Sequence, residues 1–87
     1  MHYQIRKEKL DELKEGRTAT YIAEITGYSK VYINYAFSGK KYISYLCALN
    51  IIRKLGNTSI FISQMIQEHG IKYAVNYFFE ELNDYGN

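Results

Sequence analysis

Eighty-seven residues, 47% of them apolar and 16% aromatic, make one folded domain and leave no material for a second core. The formal net charge of +2 selects no class of partner by itself. A lone cysteine, Cys47, excludes an internal disulfide, and no apolar run approaches the ~18 residues that a membrane span needs. The opening MHYQIRKEKL carries no signal-peptide apolar run, so the expectation is a cytoplasmic protein without a membrane partner.

Proline is absent and glycines occur singly, which favours helices joined by short turns. Ile5, Leu10 and Leu13 share one side of a first amphipathic segment, about Gln4 to Glu15, closed by Gly16. Thr18 or Ala19 opens a second, short helix that places Ile22, Ala23 and Ile25 inside. Gly27 ends it, because glycine adopts the left-handed conformation cheaply. Ser29 then has the side chain to cap a third helix running to about Phe37, stopped at Ser38-Gly39. A fourth helix fits Ile43 to Leu55, with Leu46, Leu49 and Ile52 on its apolar face, widened by Cys47 and Ile51. Gly56-Asn57 breaks it, and Thr58 or Ser59 caps a fifth helix bearing Ile60, Phe61, Met65 and Ile66. After Gly70, the sixth runs from Ile71 to about Asn83, with Ile71, Ala74, Val75, Phe78 and Leu82 in one stripe. No strand alternation competes. The expected fold is all-α: a compact bundle of five or six short helices over 1–87, with 57–87 as a helical C-terminal extension.

Charge is unevenly spread. Ile25 to Gln67 holds Lys30, Lys40, Lys41, Arg53 and Lys54 and no acid, whereas Glu68 to Asn87 holds Glu68, Glu80, Glu81 and Asp84 against Lys72 alone. An acid-free block of this kind suits a polyanion. Within it, GYSKVYINYAFSGKK carries three tyrosines and three lysines. Two short helices joined by a three- to four-residue turn with glycine describe a helix-turn-helix. Ala23 is small enough for a close helix crossing, Gly27 allows the turn, and Tyr28, Ile33 and Ala36 can fill the space between the helices.

TATYIAEITGYSKVYINYAFSGKK, Thr18 to Lys41, resembles the helix-turn-helix of lambda-repressor-like proteins of the Cro and phage-repressor type. Ile22, Ala23, Gly27, Ser29, Ile33 and Gly39 carry the resemblance without a gap, and ISYLCALNIIRKL is similar to the supporting fourth helix. Ala19 stands where that family often has glutamine. The resemblance implies a sequence-specific regulator, of phage or mobile-element type, that binds double-stranded DNA as a dimer. The helix at about 29–37 would enter the major groove. Carried over by position, Lys30, Val31, Tyr35 and Asn34 would meet bases, and Thr18, Tyr32, Ser38, Lys40 and Lys41 the backbone.

The tail after Thr58 is too apolar for one narrow stripe. Phe78 and Leu82 are expected to cover the motif, leaving Phe61, Tyr77 and Phe79 as an exposed patch for a homodimer. No phosphate-binding glycine loop, His/Cys metal cluster or paired apolar carboxylates occur, so neither enzyme activity, cofactor nor metal is expected. The rival reading is a protein-binding module on the same scaffold: an antirepressor, an antitoxin-like partner, or a phage-encoded inhibitor of a host nucleic-acid enzyme such as an anti-CRISPR.

Overall fold

Tyr3 and Ile5 are buried while His2 is exposed and Gln4 is half-buried, the alternation of a strand, and the chain begins as one. The structure, a computed structural model, describes residues 2–82. Its elements run β1 (His2–Ile5), a 3-10 turn (Lys7–Lys9), α1 (Leu10–Lys14), α2 (Ala19–Thr26), α3 (Lys30–Ser38), β2 (Ile43–Ser44), α4 (Tyr45–Gly56), α5 (Ile60–His69), α6 (Ile71–Phe78) and β3 (Phe79–Leu82). The described residues are thus mostly helical, in six α-helices, with a small three-stranded antiparallel sheet of order β2-β1-β3.

That sheet corrects the all-α expectation at three places. The first helix begins at Leu10, not Gln4, because β1 pairs with both other strands: Tyr3 lies opposite Ile43 in β2 and Glu81 in β3. The fourth helix begins at Tyr45, after Ile43–Ser44 has joined the sheet. The sixth ends at Phe78, where the Arg6 amide and guanidinium reach across to the carbonyls of Phe78 (2.8 Å) and Asn76 (3.0 Å). Asn83, its expected end, lies outside the described residues.

Helix boundaries between these points follow local chemistry. Thr18, Ser29, Ser44 and Ser59 each accept a hydrogen bond from the amide three residues on, satisfying a donor that has no partner inside the helix. Of the alternatives at the fifth helix, Ser59 is the cap. Thr58 instead bonds the Leu55 carbonyl and accepts from Arg17. Gly27 (φ 83°) and Gly39 (φ 79°) end α2 and α3 in the left-handed region.

The core lies between the helices and one side of the sheet. α4 packs against α2, α5 and α6, while α3 rests on α2 and β1. Ile22, Ile33, Ile51, Ile52, Leu55 and Phe78 are fully enclosed. Two apolar stripes are rotated from expectation. In α4 the buried face is Ala48, Ile51, Ile52 and Leu55, and Leu46 is 72% exposed. Ile60 is likewise exposed, and Ile62 takes the inward position in α5.

Phe79 is also fully buried, which removes it from the expected exposed patch. The backbone turns extended at Phe79 (φ −125°, ψ 147°), so consecutive Phe78 and Phe79 can both point inward. Phe79→Ala should therefore cost about 3–5 kcal/mol in chemical denaturation. A surface role would leave stability unchanged. Ala23, 8% exposed where α2 meets α3, leaves little room, and Ala23→Leu should cost about 1–3 kcal/mol by overpacking. An unaltered melting midpoint would contradict that crossing.

Candidate functional site

α2 and α3 are separated by Gly27, Tyr28 and Ser29 alone. The turn is tied at both ends. The Gly27 amide donates to the Ala23 carbonyl at 2.9 Å, and the Ser29 hydroxyl accepts from the Tyr32 amide at 3.0 Å. Thr26 is buried, and its hydroxyl donates to the Ile22 carbonyl at 2.7 Å. Asn50 of α4 bonds the Thr26 carbonyl at 3.4 Å, fixing the turn to the helix behind it.

α3 has two faces. Ile33, Ala36 and Phe37 are buried at i, i+3, i+4 spacing and anchor it in the core. Lys30, Val31, Asn34, Tyr35 and Ser38 are exposed and form the outer stripe, Val31 by 61% and Tyr35 by 49%. Four residues expected to meet bases therefore share one solvent-facing side of one anchored helix. Lys40 and Lys41 follow directly and are exposed. Among the described residues, no acid forms an ion pair with Lys30, Lys40, Lys41, Arg53 or Lys54.

The remaining expected positions differ in availability. Thr18 uses its side-chain oxygen to accept from the Tyr21 amide at 3.1 Å, leaving its hydroxyl hydrogen to donate outward. The Ser38 hydroxyl donates to the Tyr35 carbonyl at 3.0 Å and accepts from Lys40 at 3.4 Å, so it finishes the helix. Tyr32 is half-buried, its ring 4.9 Å from that of Tyr28 and beneath the Lys41 ammonium at 5.8 Å. Two exposed apolar residues, Tyr42 (56%) and Leu46, follow Lys41 and were missed in the sequence. Leu46 lies two residues before Ala48, on the opposite side of α4. Reading the stripe through Ala48 instead of the larger leucine would have revealed it.

Behind α3, Cys47 is half-buried in the first turn of α4. Burial alone would raise its thiol, but hydrogen bonds from Ser44, Tyr28 and Tyr32 outweigh it and hold the thiol below its ordinary value. The same burial, with Cys47 beside them, raises the Tyr28 and Tyr32 hydroxyls above theirs, although Asn50 pulls Tyr28 the other way. These hydroxyls stay protonated and serve as donors. Among the described residues, no three His, Cys, Asp or Glu side chains are grouped to hold a metal ion.

No protein-family model, curated protein or solved structure matches the chain.

Tyr32→Phe keeps the ring and deletes one donor to the Cys47 sulfur. The thiol pKa should rise, so alkylation by iodoacetamide near neutral pH should slow as the thiolate fraction falls. An unchanged pH–rate profile would show that the Tyr32 hydroxyl does not reach the sulfur.

Proposed function

We propose that the chain is a sequence-specific DNA-binding regulator that lays α3 in the major groove, as its likeness to the helix-turn-helix of lambda-repressor-like proteins implies. One observation carries the reading: the exposed stripe Lys30, Val31, Asn34 and Tyr35 on a helix whose other face is locked into the core. A groove-reading helix needs this combination, since base edges are recognised by side chains whose positions are fixed beforehand. Lys30 supplies a donor for guanine O6 and N7, Asn34 a donor–acceptor pair for adenine, and Val31 a methyl surface for thymine. Tyr35 adds a flat ring with a hydroxyl tip.

Lys40 and Lys41 extend the exposed end of α3 with charge suited to phosphate. The start of α2, with the Thr18 hydroxyl and the unpaired amides of a helix N-terminus, offers a second phosphate contact. This compensates in part for Ala19, which lacks the polar side chain common at that position in the resembled family. Two copies on a palindromic site would set their α3 helices about one DNA turn, ~34 Å, apart.

The rival reading, a protein-binding module, is favoured by one feature. Val31, Tyr35, Tyr42 and Leu46 expose more apolar surface than phosphate contacts require. Selection from random duplexes by the purified protein, followed by binding of the winner across a salt series, separates the two. The DNA reading expects an enriched motif and an affinity that falls steeply with salt. Absence of enrichment, with salt-insensitive binding, supports the protein module.

Within the DNA reading, Lys41→Ala should weaken all sequences alike and flatten the log–log salt slope by ~1. Lys30→Ala and Val31→Ala should instead relax discrimination at particular base pairs by ~1–3 kcal/mol. Equal, sequence-blind losses for all three would remove direct readout by α3.

A further inference from the structure

A cleft of about 280 Å³ opens between α5 and α6, lined by Phe61, Met65, Glu68, His69, Tyr73 and Tyr77. α5 and α6 pack on each other and on α4, whereas α3 packs on α2 and β1. Three aromatic rings and a carboxylate share a small open hollow. Aromatic faces carry negative potential and attract organic cations within about 6 Å, and a carboxylate adds a full charge and acceptors. Among the described residues Glu68 has no ion-pair partner, so its charge is unspent.

The walls are set before any ligand arrives. His69 stacks on Tyr73 at 4.4 Å, and Phe61 meets Tyr77 edge-on at 6.5 Å. Tyr77 is tied to Lys9 and Glu12. Its hydroxyl donates to Glu12 at 2.7 Å and accepts from Lys9 at 3.1 Å, while the Lys9 ammonium sits 4.3 Å from the ring centre. Preset walls spare the ordering cost that weakens small sites. Met65, almost fully buried, provides an apolar floor for methylenes.

We propose that this cleft binds the guanidinium side chain of an arginine presented by a partner polypeptide. A planar guanidinium stacks on an aromatic face and donates to a carboxylate at once, which a compact ammonium does less well. The volume lies just below the range typical of whole small-molecule ligands, about 300–1,000 Å³, and suits a single side chain. Glu68 in the lining supplies the negative charge that favours a basic side chain. The cleft takes up Phe61 and Tyr77, which the sequence had assigned to a homodimer.

The test is a titration of the ¹⁵N-labelled full chain, followed by amide shifts. Acetyl-arginine-amide should give saturable shifts at Phe61, Glu68, His69, Tyr73 and Tyr77, and acetyl-citrulline-amide, its neutral isostere, should not. Glu68→Gln and Tyr73→Leu, both at exposed positions, should each weaken the arginine compound roughly two- to fivefold, while Tyr35→Ala should leave it unchanged. Equal shifts with citrulline, or none that saturate with arginine, would overturn the cation site. Acetyl-Ala-Arg-Ala-amide should bind at least as tightly as free arginine; a preference for free arginine would overturn the polypeptide source in favour of a small metabolite.

Discussion

The central position of β1 organises the fold. Its four residues all pair with β3 on one side and two of them, His2 and Tyr3, with β2 on the other, joining the start of the chain, the segment between α3 and α4, and the stretch after α6. These contacts are long-range in sequence. Tyr3 and Ile5 point from the sheet into the core, and α3 lies against the strand. Gln4 adds a side-chain hydrogen bond to the Gly39 carbonyl at 3.0 Å. That bond fastens the end of α3 where its last carbonyls would otherwise lack partners. The position of Lys40 and Lys41 thus depends on a strand more than thirty residues away.

From that anchorage follows the two-sidedness of α3. Ile33, Ala36 and Phe37 leave the helix little freedom to roll, because a rotation large enough to present another face would expose them. The outer stripe is consequently a fixed pattern of donors and apolar groups. The α5–α6 cleft has another chemistry, with the aromatic rings of Phe61, Tyr73 and Tyr77 beside the Glu68 carboxylate.

Sequence reading succeeded where the cause is local. Gly27 and Gly39 require only their own φ, and Ser29 requires only the amide three residues on. The two faces of α3 were legible because 33, 36 and 37 differ so clearly in polarity from 30, 34 and 38. The sheet was not legible. Its strands have two to four residues, too few for period-two alternation to emerge, and Glu80–Glu81 in β3 reads as a solvated helix end. What makes these segments extended is their pairing with each other. Phe79 was misplaced for the same reason: its burial follows from leaving the helix at Phe78, which a stripe extended through Leu82 cannot anticipate. Leu46 shows a different failure, in which side-chain size was weighed above phase. The α5–α6 cleft needs a helix turning back at Gly70, and nothing in the linear order of Phe61, Glu68, Tyr73 and Tyr77 announces that they meet.

The central claim is that the outer face of α3 engages DNA, and the most direct measurement is an amide-shift map of the labelled chain on adding duplex DNA at two salt concentrations. The account predicts shifts concentrated at Lys30, Val31, Asn34, Tyr35, Lys40 and Lys41 and at the start of α2, shrinking as salt rises. Shifts confined to α5 and α6, or none at low salt, would contradict it.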